Sequence, residues 1–157
     1  MDLNLYRFRS EWQVDASPDE AYRALEELRD YPAWWPEVRA VEKLDERSYR
    51  LRCRSTLPYD LVFTTIQSRR DPEAHVLEAH MEGDLEGFSR WTMHPSGTGT
   101  KLIFEEEVVA NKKLLRRLAL IARPAFKANH SLMMYHGRKG LRTYLAGYRL
   151  GRASTDS

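Results

Sequence analysis

Over most of the chain apolar and polar residues alternate with a period of two, and near the C-terminus this gives way to a helical period. Within residues 3–14, Tyr6, Phe8, Ser10, Trp12 and Val14 share one parity, and Arg7, Arg9, Glu11 and Gln13 the other. This is the pattern of a half-buried strand. Ser17-Pro18-Asp19-Glu20 follows: Ser17 suits an N-cap, Pro18 the first helical position, and Glu20 a capping box. Ala21, Leu25 and Leu28 then mark a short amphipathic helix ending near Asp30. In Tyr31-Pro32-Ala33-Trp34-Trp35-Pro36-Glu37-Val38 two prolines bracket three residues, which leaves room for one helical turn at most.

After Pro36, residues 38–45, 48–56, 60–70, 74–82, 87–94 and 100–110 read as strands. Asp45-Glu46, Leu57-Pro58, Asp71-Pro72, Gly83-Asp84 and Ser96-Gly97-Thr98-Gly99 punctuate them as turns. The alternation predicts that Tyr49, Leu51 and Cys53 point inward while Arg50, Arg52 and Arg54 face water. Short turns imply an antiparallel sheet covered on one face. From Asn111 the period becomes helical. Leu114, Leu115, Leu118, Ile121 and Ala122 form a stripe, and Phe126, His130, Met133, Met134, Gly137, Leu141 and Leu145 continue it past Pro124, where a kink or restart is expected. Only this helix is long enough to cover the concave face of a curved sheet, and a cavity between the two is a natural ligand site.

The 157 residues carry 42% apolar and 31% charged side chains at a net charge of +2. That size supports one domain, taken as residues 1–150, with 151–157 as a small, polar, disordered tail. The balance is not that of a dedicated nucleic-acid binder, so no nucleic-acid partner is expected. No apolar run spans a bilayer and no signal peptide is evident, so no stable membrane insertion is expected. The lone Cys53 cannot form an internal disulfide, and a reducing cytoplasm is the expected location. The basic residues flanking the stripe, Lys112, Lys113, Arg116, Arg117 and Arg123, suit either the wet side of a covering helix or contact with anionic lipid.

Several residues could carry chemistry. In the strand 100–110, Glu106 shares parity with Leu102, Phe104 and Val108, which makes it a carboxylate facing the cavity or its mouth. There it would serve as base, hydrogen-bond anchor or partner of a helix arginine. His130 lies on the apolar face of the last helix, where it would orient a ligand carbonyl, act as acid/base, or sit as a satisfied core residue. Trp91 and Met93 are the more apolar pair beside Arg90 and His94, and so the inward one. Met81, Met93, Met133 and Met134 suit an adaptable apolar lining or plain core filling. The five histidines show no metal spacing, and Ser96-Gly97-Thr98-Gly99 joins two strands instead of opening a helix, so neither metal nor phosphate-bound cofactor is expected. The paired tryptophans admit three roles: structural plug, pocket wall, or stacking platform for bases.

In this order of elements the chain resembles the START-like superfamily, also called SRPBCC or the polyketide cyclase/dehydrase and lipid-transport group. The resemblance rests on Ser17-Pro18-Asp19-Glu20-Ala21-Tyr22, the Tyr31–Val38 segment, Gly83-Asp84-Leu85-Glu86-Gly87 with Trp91, Gly97-Thr98-Gly99-Thr100, and Asn129-His130-Ser131-Leu132-Met133-Met134 with Gly137. It covers residues 5–148 and implies an α+β helix-grip fold. That fold is a curved seven-stranded antiparallel sheet, two short helices and a long C-terminal helix. The implied partner is a small hydrophobic molecule, lipid or polyketide-like, held by a monomer or homodimer without a cofactor. The expected ligand-binding residues are Trp35, Trp91, Met93, Phe104, Glu106, His130, Met133 and Met134. A cyclase- or dehydratase-type enzyme using the same pocket is the rival, and a protein-interaction module a third possibility.

Overall fold

The structure is a computed structural model that describes residues 4–54, 60–111, 113 and 119–155. Strand β1 (Leu5–Val14) leads to helix α1 (Pro18–Glu26), a 3-10 turn (Leu28–Asp30) and the one-turn helix α2 (Tyr31–Trp34). Strands β2 (Val38–Lys43), β3 (Ser48–Cys53), β4 (Leu61–Asp71), β5 (Val76–Gly83), β6 (Leu85–Ser96) and β7 (Gly99–Ala110) follow, then the long helix α3 (Ala119–Thr155). The strands form one curved sheet in the order β1-β7-β6-β5-β4-β3-β2, every pair antiparallel. This is the helix-grip arrangement.

The local signals act as their chemistry requires. Ser17 Oγ accepts from the Glu20 backbone N–H at 3.1 Å, with Pro18 opening α1. Gly97 takes φ +60° in the β6–β7 turn, a conformation that costs glycine little. On β3, Tyr49, Leu51 and Cys53 are buried while Arg50, Arg52 and Arg54 are exposed. Helix α3 continues through Pro124 instead of restarting there. The proline removes one intrahelical bond, and Phe126, two residues on, is buried against Tyr6 with ring centroids 4.3 Å apart. The helical backbone also runs on to Thr155, past Gly151, where composition suggested a disordered tail. Extending a formed helix adds a bond for each residue fixed and needs no new nucleus. Most of the basic stripe, Lys112 and 114–118, lies outside the described residues. Arg123 is described: its guanidinium donates to Leu5 O at 3.0 Å and lies over the Tyr6 ring.

The tryptophan turn locks α3 onto the sheet. Trp34 and Trp35 are both buried and stacked, with centroids 5.3 Å apart. Trp35 Nε1 donates to Met133 O at 2.9 Å, and Glu37 is hydrogen-bonded to His136. The helix can come this close because Gly137 faces the Trp35 indole and Gly140 faces the Trp34 carbonyl. Both indoles are enclosed.

Candidate functional site

Inward residues of the sheet, the 3-10 turn, α2 and α3 enclose a cavity of about 110 Å³, room for several water-sized spheres. Its walls are mostly apolar. Phe104 and Trp91 pack with centroids 4.7 Å apart at one side, and Phe63, Leu51 and Met81 line the other strands. Trp35 and Met133 close it from the helical side. The tryptophan pair is therefore split in role: Trp34 lies against Tyr31 and Gly140, whereas Trp35 is at once plug and wall.

Strand register organises the polar groups. Gln67 pairs with Ala79, Ala79 with Ser89, and Ser89 with Glu106, so one transverse row of the floor reads Gln67–Ala79–Ser89–Glu106. All four line the cavity. The row spans three inter-strand spacings, roughly 14 Å along the sheet. The next row toward the β6–β7 turn holds Leu77, Trp91 and Phe104, and the one beyond Glu106 holds Val108, Gly87, Met81 and Thr65. Glu78 also borders the space, but its carboxylate accepts from Arg90 Nε at 2.6 Å. Burial pushes the Cys53 thiol up to about 12, with the Glu106 carboxylate adding to the effect.

Five of the eight residues expected from sequence, Trp35, Trp91, Phe104, Glu106 and Met133, line this cavity; three lie elsewhere. Met93 pairs with Leu102 one inward position nearer the β6–β7 turn, where both are fully packed. Met134 and His130 face a separate groove between α3 and the free edge of β1, bordered by Phe8 and Trp12. About 100° of rotation per residue puts Met133 and Met134 on different flanks of α3. His130 stacks on Phe8 with centroids 3.6 Å apart, and its Nε2 lies 3.5 Å from Glu106 Oε1. That nitrogen makes no hydrogen bond among the described residues. Glu106 thus belongs to the cavity, and His130 stands behind it, between cavity and groove.

Sequence reasoning missed Thr65, Gln67 and Ser89. The signal was present for Gln67: β4 alternates Leu61, Phe63, Thr65, Gln67 on its inward parity, and all four are buried. Among the described residues no group is fit to hold a metal, and no helix is long and apolar enough to cross a membrane.

No curated protein matches the sequence. Among solved structures, the Zhui aromatase/cyclase from a Streptomyces species superposes with a TM-score of 0.77 at 16% identity, over 90% of this chain and 94% of the other. A conserved protein from Geobacillus kaustophilus gives 0.75 at 10% identity over 90% and 96%. A START superfamily protein from Mycobacterium smegmatis gives 0.66 at 17% over 92% and 98%. At these identities the likeness establishes the fold. The sequence model of one family, described as polyketide cyclase/dehydrase and lipid transport, matches residues 6–143. With that span covering nearly the whole sheet and most of α3, the chain belongs to the polyketide cyclase/dehydrase and lipid transport family.

Proposed function

We propose that this protein binds a small apolar or amphipathic molecule in the cavity between sheet and α3. The observation that carries the reading is the cavity itself: apolar walls, one polar row, and a Glu106 side chain only 9% exposed. Affinity would come from apolar burial at about 25 cal/mol per Å², less the cost of ordering the ligand. The polar row would set its orientation. Family membership supports a ligand-binding or cyclase role. Native mass spectrometry of protein purified from its source tests the reading, since a retained molecule gives the mass of the ligand. Failure to retain or to take up any apolar compound would count against it.

A cyclase- or dehydratase-type enzyme is the second reading, and one observation favours it. Glu106 reaches the cavity and His130 Nε2 lies 3.5 Å from its Oε1, a carboxylate–imidazole pair that has to close to hydrogen-bond distance before a proton can pass between them. In that case Glu106→Gln abolishes turnover and leaves ligand binding within a few-fold. A binder predicts a change in affinity or preference and no turnover to lose.

A further inference from the structure

The buried Gln67 is held by one end of its amide only. Its Nε2 donates to the Glu26 carbonyl at 3.3 Å, which fixes the orientation: turned over, Oε1 would face that carbonyl, acceptor against acceptor. Oε1 is left buried with no hydrogen-bond partner among the described residues, on a side chain that lines the cavity and is 7% exposed. At the other end of the polar row stands Glu106, again an acceptor when ionised. The described residues lining the cavity include two carboxylates, Glu78, which is bonded to Arg90, and Glu106, which lies 3.5 Å from His130; no lysine, arginine or histidine is itself among them.

A floor of this kind selects by charge and by hydrogen-bond polarity. We propose that the ligand is a neutral, largely apolar molecule with a hydroxyl that donates to Gln67 Oε1, and that the cavity turns away carboxylates. The inference rests on the binding reading above and narrows it, from apolar or amphipathic molecules in general to alcohols and phenols as against fatty acids and other organic anions. A hydroxyl supplies the donor that Oε1 lacks, and an unmatched buried acceptor is costly enough to make its pairing felt in affinity. A carboxylate would bring negative charge beside Glu106 and acceptors toward Gln67, with no cation in the described wall to offset its lost hydration.

Three probes with one apolar frame separate the possibilities: naphthalene, 2-naphthol and 2-naphthoate, titrated calorimetrically into the intact protein at neutral pH. The expected order is naphthol about tenfold tighter than naphthalene, with naphthoate weakest. Gln67→Met keeps the volume and removes Oε1, and should bring naphthol to the level of naphthalene. The variant also loses the bond to Glu26, so its melting midpoint will fall. A merely structural glutamine would leave the naphthol-to-naphthalene ratio unchanged, and that result overturns the proposal. Equal binding of naphthol and naphthalene by the wild type, or naphthoate binding tightest, overturns it too while leaving the cavity a binding site. If none of the three binds, the binding reading fails and takes this inference with it. Should Gln67→Met not fold, the wild-type order alone decides.

Discussion

Three glycines of α3, substituted by alanine one at a time, measure how tightly the helix is clamped. In an exposed helix interior Gly→Ala gains about 1 kcal/mol, because alanine loses less backbone freedom on folding. Gly147 should show that gain, since an added Cβ meets nothing within 4 Å. For a chain of this size the melting midpoint should rise by about 2–4 °C. At Gly140 the same methyl would lie 1.6 Å from the Trp34 carbonyl oxygen and 2.8 Å from its carbon. Both are backbone atoms, so no side chain can swing away; α2 or α3 must shift. Overpacking costs about 1–3 kcal/mol, and backbone against backbone belongs at the top of that range. After the helix gain is subtracted, a net loss of about 2 kcal/mol remains, or a drop of about 4–8 °C. Gly137 should fall between the two: its Cβ would sit 2.6 Å from Trp35 Cε2, against a ring pinned by its bond to Met133 O. Thermal melts followed by circular dichroism, with urea titrations for the free energies, give all three values. If Gly140→Ala melts at or above the wild type, the close approach of α3 to the tryptophan turn is wrong, and the placement of Met133 over the cavity falls with it.

Trp34→Ala should cost about 3–5 kcal/mol by denaturant titration, the usual loss for a large buried aromatic; a change below 1 kcal/mol would remove it from the core. Thiol reagents should modify native Cys53 at neutral pH only as fast as the protein opens, because the side chain is buried and its ionisation is pushed up to about 12; rapid labelling would mean that β3 faces the other way. Alkaline pH should also weaken the fold. Burial raises Cys53 from 9.0 and Tyr22 from 10.0, each to about 12, and moves Tyr31 the same way, so the neutral forms stabilise the fold fully below the ordinary values. That stabilisation is lost as pH climbs from 9 toward 12, and a melting midpoint constant across this window would contradict it. Finally, Glu106→Gln should leave the melting midpoint within a few degrees of wild type and change ligand preference or its pH dependence, both read by calorimetry.

The strands were legible because each has one wet face and ends at a turn with its own chemistry. Arg50, Arg52 and Arg54 could only point to solvent, and Ser17-Pro18 could only open a helix. Parity also brought Phe104 and Glu106 to the inward face. What parity cannot supply is register between strands. The alignment of Gln67 with Ser89 and Glu106 depends on hairpin lengths and on the irregularity between Gln67 and Arg69, features of pairing and not of one strand. The rotation of α3 was equally hidden. A stripe that includes His130, Met133 and Met134 spans more than one flank, and the clamp at Gly137 and Gly140 decides that Met133 faces the cavity while the other two face the groove.

The sheet order has a consequence for how the chain is made. Strand β1 pairs with β7, Leu5 opposite Val109, although β1 leaves the ribosome first. At a synthesis rate of about 5–20 residues per second, β1 waits roughly 5–20 seconds for its partner to appear. Until then Tyr6, Phe8 and Trp12 have no strand beside them, and the aromatic floor has no α3 to cover it. Pairing over such a separation makes folding slow relative to chains with local contacts. A nascent chain halted before α3 would present its aromatic inner face to anything nearby, so chaperone dependence during expression should track the length of chain released and not the stability of the finished protein.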